Sequence, residues 1–172
     1  MFGGTFTSRL TTEVRGKRGW SYGAASALGL DRQRESFAVW TAPSVTDAPA
    51  CLALELELLQ TLREGGVTED EVAFAKNYLR RSHAFEVDTA KKRVHQRLDV
   101  ALYDLPSGYH DAHLERVAAT TLSGINAALA RRLPHESLVV AVVGAEAELR
   151  DKLEAAIPRL DRVTVLPFDF EG

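Results

Sequence analysis

Apolar residues recur every four positions at Phe6, Leu10 and Val14, which predicts a helix from Phe6 to about Lys17 with one face turned inward. Gly16 and Gly19 bracket its end, as glycines do where a helix stops. The next apolar stretch, Tyr22 to Leu30, is made of small residues and predicts a strand. Ser36 to Ala42 alternates and carries Phe37, Val39 and Trp40, which predicts a second one. The charged run Asp31 to Glu35 between them makes an antiparallel hairpin the natural connection.

Ser44, Thr46 and Asp47 are cap candidates, and Pro49 suits a first helical turn. Leu52, Leu56, Leu59 and Leu62 carry a helical face to the Gly65-Gly66 stop. Thr68 with Glu71 three residues later is a capping box. It opens a helical tract to about Asp104, with a break near Val87 to Thr89. Leu105 to Tyr109 reads as a turn, and helices are expected at His110 to Thr120 and Ser123 to Leu133. Leu138 to Gly144 is the clearest buried strand in the pattern. An amphipathic helix (Ala145 to Ile157) and a last strand (Arg162 to Phe168, closed by Pro167) complete the chain. This order predicts an α+β fold: a mostly antiparallel sheet of about four strands with helices packed on one face. No repeat, low-complexity segment or linker divides the chain, so residues 1–172 form one domain.

Composition narrows the classes. A chain of 172 residues holds one domain with a real core, and a net charge of −3 gives no electrostatic reason to expect nucleic acid or an anionic membrane. No apolar run reaches membrane-spanning length. A soluble chain is expected, cytoplasmic or periplasmic if bacterial. The single cysteine, Cys51, excludes an internal disulfide or a cysteine-based zinc site, and its apolar helical setting predicts an inert thiol.

Candidate chemistry is sparse. His110 and His113 stand three apart with Asp111 and Glu115 nearby, a spacing that lets two imidazoles on one helix reach one ion. Neither H-E-x-x-H nor H-x-x-E-H is present, and His83, His95 and His135 are scattered. There is no G-x-S-x-G and no phosphate-binding glycine loop. Arg80-Arg81 and Lys91-Lys92-Arg93 fit a solvated helix surface. What remains is the corner after the first helix. It spends Arg15, Lys17 and Arg18 in four residues, turns at Gly19, and presents Trp20 and Tyr22. One account is purely structural: Arg15 meets the helix dipole and Tyr22 packs on a strand. The other is chemical: a guanidinium fork and a phenol that stays protonated would hold a peptide carbonyl and stabilise an oxyanion.

The stretch GGTFTSRLTTEVRGKRGWSYGAAS resembles the pitrilysin/insulinase family of inverted-motif zinc metallopeptidases, through Gly3, Gly4, Phe6, Ser8, Arg9, Leu10, Val14, Arg15, Lys17, Gly19 and Tyr22. GVTEDEVAFAKNYL looks like the family's helical hairpin, and the segments from Leu105 to Leu133 and Glu136 to Leu149 look like its closing helices and last strands. The resemblance implies the C-terminal, non-zinc half of such an enzyme, a LuxS/processing-peptidase-like half-domain shortened at its N-terminus and forming part of a longer chain. It implies an R-x6-Y pair, here Arg15 and Tyr22, that binds the peptide backbone and assists the tetrahedral intermediate. It also implies no metal in this chain, with zinc on a missing or partner domain or subunit carrying H-x-x-E-H. This chain alone is then inactive, and its exposed sheet edge favours self-association. A catalytically silent assembly subunit of the same fold and a free-standing peptide-binding module are the alternatives.

Overall fold

A computed structural model describes residues 1–29, 36–133 and 138–167. Among them the chain forms seven α-helices, one π-helical segment and a two-stranded antiparallel sheet. The fold is therefore α+β. The first helix, α1 (Arg9–Thr11), runs directly into the π-helical segment Thr12–Lys17. It begins later than the apolar spacing predicts, because Ser8 caps it by accepting from the Thr11 N–H. Phe6 is thereby left outside the helix, while Leu10 and Val14 are fully buried.

Strands β1 (Ala24–Gly29) and β2 (Ser36–Thr41) pair with Ser26 opposite Val39 and Leu28 opposite Phe37. Alternation sends Ala24 and Val39 to the core and Trp40 to the other face, where it is exposed. The hairpin is as expected from the pattern, and its charged connection, Asp31 to Glu35, lies outside the described residues. The N-terminal residues run beside β1, with the Ser26 N–H donating to the Gly3 carbonyl at 3.0 Å and the Phe2 ring 5.8 Å from Phe37.

Helix α2 (Ala48–Gly65) takes Pro49 in its first turn and buries Cys51, Leu54 and Leu62. With Phe2, Leu10, Val14, Ala24, Val67 and Val72 these make one core, against which Leu122, Ile125 and Leu129 of α6 (Leu122–Arg132) pack. The turn after α2 is held from α6. Asn126 accepts from the Val67 N–H at 2.9 Å and donates to the Val67 carbonyl at 3.3 Å, as a neighbouring strand would. Gly66 makes this possible at φ +68°, a conformation that side chains with a Cβ disfavour.

Helix α3 (Glu69–Glu86) starts on the expected capping box: Thr68 Oγ1 accepts from the Glu71 N–H, and the Glu71 carboxylate accepts from the Thr68 N–H at 2.8 Å. The helical tract breaks at Val87 to Thr89, as the sequence predicts, before α4 (Ala90–Leu102). Helix α5 (His113–Ala119) follows the turn, and α7 (Glu146–Ala156), with Leu149 buried, packs on α2.

The expected third and fourth strands carry no ladder among the described residues. Leu138 to Val143 forms no regular element, with Val139 93% and Val143 97% exposed, and Arg162 to Pro167 leaves Leu166 60% exposed. The residue pattern reports that these segments can be buried. It does not supply the neighbour whose N–H and C=O groups a strand needs.

A candidate functional site at the Arg15–Tyr22 corner

Local geometry builds the corner. The π-helical segment Thr12–Lys17 widens the helix just where Arg15 sits, a feature that often accompanies function. Gly19 stops it at φ +65°, its N–H donating to the Arg15 carbonyl at 3.1 Å, a left-handed cap. The chain then passes Ser21, which is buried. Its hydroxyl donates to the Gly23 carbonyl and accepts from the Ala42 N–H at 2.9 Å. Alternation therefore points Tyr22 outward, 84% exposed. Gly23 lies against Trp40, and a Cβ there would stand 2.5 Å from the indole.

The two candidate residues come together. The Arg15 guanidinium carbon lies 4.3 Å from the Tyr22 ring centroid and 5.3 Å from that of Phe6. Such stacking holds a guanidinium by its face and leaves its in-plane N–H donors open. Phe6 is itself 79% exposed, so the stack stands at the surface. Among the described residues neither the Arg15 guanidinium nor the Tyr22 hydroxyl has a hydrogen-bond or ion-pair partner.

The other two cations are engaged. Glu13 accepts from Lys17 Nζ and from Arg18 Nη1, each at 2.6 Å, and its main-chain carbonyl accepts from Arg18 as well. The Lys17 hydrogen bond first, and that of Arg18 next, hold the Glu13 carboxyl below its usual range. Arg18 also lies over Trp20, 5.3 Å from the ring centroid. Three basic residues thus resolve into two braced cations and one with open donors.

Behind the corner, Arg9 ties α1 to the start of α3. Its Nε and Nη2 donate to the two Glu71 carboxylate oxygens at 2.6 Å each, and Nη2 also reaches the Gly66 carbonyl at 2.9 Å. The sequence reading did not pick out Phe6 as a stacking partner, Glu13 as a brace or this Arg9–Glu71 pair. Only the Glu13–Lys17 spacing, four apart on a helix, was a readable signal.

The other candidates resolve differently. His110 lies in the turn before α5, so the pair with His113 does not share a helix. His113 instead stacks on His83, ring centroids 5.4 Å apart, so His83 is not an isolated histidine. Cys51 has no exposed surface, and its thiol is pushed up to about 11, by burial first and by the charge of Glu55 next, which makes it inert.

Residues 1–79 match the family described as the peptidase M16 inactive domain. The N-terminal part of the chain is thus similar to an M16-type domain of that kind. Two proteins named as uncharacterized zinc proteases, from Mycobacterium tuberculosis and Mycobacterium bovis, are 28% identical to the chain over 145 residues, which is 83% of this chain. The chain spans about a third of their length (32%). A crystal structure of a peptidase M16 inactive domain from Pseudomonas fluorescens superposes with a TM-score of 0.70 at 25% identity, covering 78% of this chain and 32% of that one. A conserved protein from Enterococcus faecalis superposes with a TM-score of 0.63 at 25% identity, covering 76% of this chain and 30% of its own. The corner offers guanidinium, ammonium and phenol groups, which do not ligate zinc, and H-x-x-E-H is absent from the sequence. The zinc in the relatives' name does not fit this corner. No helix among the described residues is long and apolar enough to cross a membrane.

Proposed function

We propose that this chain is the substrate-binding, non-catalytic part of a zinc-dependent endopeptidase, acting with a domain or subunit that carries H-x-x-E-H. The observation that carries this reading is the Arg15–Tyr22 stack: a cation and a phenol side by side at the surface, with no partner among the described residues. Arg15 donates to main-chain carbonyls of a bound peptide. Tyr22 donates to the oxygen on which charge develops as the peptide bond is attacked. Glu13 withdraws Lys17 and Arg18, so only the stacked guanidinium competes for the peptide.

The test is reconstitution. The chain alone leaves a quenched fluorescent peptide intact, and adding the H-x-x-E-H half from the same genome gives hydrolysis that depends on both. Hydrolysis by this chain alone, or by the other half at full rate without it, would contradict the assignment.

The exposed apolar segments support a second part of the reading. Leu138 to Gly144 and Arg162 to Pro167 complete a four-stranded sheet once a neighbour supplies their hydrogen bonds, and in isolation a second copy of the chain serves as that neighbour. Size-exclusion chromatography across a dilution series is expected to show a dimer or larger species, which Val139→Asp with Val143→Asp shifts to monomer. A concentration-independent monomer for the unsubstituted chain would remove self-association from the account.

An assembly role without catalysis is the second reading, favoured by the matched domain's description as inactive. It predicts that substitutions at Arg15 and Tyr22 leave the reconstituted activity unchanged.

A further inference from the structure

Away from the corner, α3 and α5 bring three metal-binding side chains to one place. His83 and Glu86 lie three residues apart near the end of α3, and His113 opens α5. The ligand atoms of all three fall within 4.8 Å of one another, the only such grouping among the described residues. We infer that His83, Glu86 and His113 form a binding site for a divalent transition-metal ion that fastens α5 to α3. This revises the sequence expectation of no metal in the chain, and it is independent of the zinc centre proposed for the partner half.

Three observations point to an ion rather than to ordinary packing. First, His83 Nδ1 is buried and has no hydrogen-bond partner, a costly state for an imidazole nitrogen that a metal would relieve. Second, that nitrogen stands 3.9 Å from Glu86 Oε2, too far for a hydrogen bond. Two ligand atoms about 2.0–2.1 Å from a tetrahedral ion stand roughly 3.3 Å apart, so a rotamer adjustment brings them into place. Third, the His83 and His113 rings lie 5.4 Å apart, which brings an imidazole nitrogen of each to within 4.8 Å of the other.

The donor set selects the ion. Two imidazoles and one carboxylate suit Zn²⁺, Co²⁺ or Ni²⁺, while Ca²⁺ and Mg²⁺ demand oxygen ligands. Glu86 is half exposed, so a fourth position is open to water. The site is not H-x-x-E-H, because Val87 follows Glu86 and the second imidazole arrives from another helix. The helices already touch where Lys76 Nζ, near the middle of α3, donates to the Ala118 carbonyl at 2.8 Å, and an ion near the C-terminal end of α3 would give that contact a second anchor.

Titration of the 172-residue chain with Co²⁺ and Zn²⁺ tests this. One equivalent of Co²⁺ is expected to develop visible ligand-field absorption, to be displaced by Zn²⁺ and to vanish with EDTA. Loss of a ligating side chain should cost more than the 10–100-fold in affinity that loss of a supporting partner costs, so His83→Ala, His113→Ala and Glu86→Gln should each weaken binding beyond that. His95→Ala, an exposed histidine on α4, should bind as the unsubstituted chain does. Circular dichroism checks that the variants fold. Should an alanine variant be unfolded, Glu86→Gln at the surface decides. No stoichiometric binding, or binding unaltered in folded His83→Ala or in Glu86→Gln, would overturn the proposal.

Discussion

Tyr22→Phe in the reconstituted enzyme is expected to lower kcat by about 10²–10³-fold while KM moves little, the scale on which a single oxyanion donor acts. The substitution removes one hydroxyl and keeps the ring. The Arg15 guanidinium, 4.3 Å from that ring's centroid, keeps its stacking surface. Tyr22 is 84% exposed, so the change empties no cavity and leaves folding intact. What disappears is a donor that matters once negative charge gathers on the carbonyl oxygen, and such an interaction registers in kcat. Arg15→Lys supplies the contrast. A lysine keeps the charge but loses the planar fork and the flat face that rests between Phe6 and Tyr22, so peptide binding weakens and KM rises. If Tyr22→Phe leaves kcat unchanged, the phenol is packing for Arg15 and no more.

Glu71→Gln is expected to cost about 2 kcal/mol of stability at neutral pH, the scale of hydrogen bonds to a charged group, and almost nothing in acid. Both partners of the Arg9–Glu71 pair are about a quarter exposed, so solvent screens them only in part. The Arg9 hydrogen bonds, more than the bond from the Thr68 N–H, hold the Glu71 carboxyl below its usual range. A carboxyl with a lowered folded-state pKa contributes stability that is fully present above its unfolded value of about 4.3. That stability is lost as pH falls through the folded value. Glutamine keeps one oxygen for the capping box but replaces the other acceptor of Arg9 with an amide NH2, so the loss combines the charge with one hydrogen bond. Urea unfolding of both proteins at neutral and acid pH measures it, and a gap of equal size at both would show that charge is not the source.

What the sequence revealed and concealed divides by range. The capping box at Thr68 and Glu71, the break at Val87 to Thr89 and the Ser36 to Thr41 strand are local, each written within a few residues. The corner was half legible. Arg15, Gly19 and Tyr22 stand in one short run, but Phe6 carries a helical spacing, and only the Ser8 cap removes it from the helix and places it beside Arg15. The meeting of His83 with His113 could not be read at all, since it depends on how α5 returns to α3. Leu138 to Gly144 shows the opposite failure. Its pattern is strongly strand-like, yet hydrogen bonding takes two chains, and one row of valines cannot report whether the other is present.

The turn at Gly66 and Val67 is grasped from both sides, by Arg9 through the Gly66 carbonyl and by Asn126 through both main-chain groups of Val67. A short bend between two helices is thus the junction that ties α1, which leads into the Arg15–Tyr22 corner, to α6. Inserting a single residue there would uncouple one from the other without touching either.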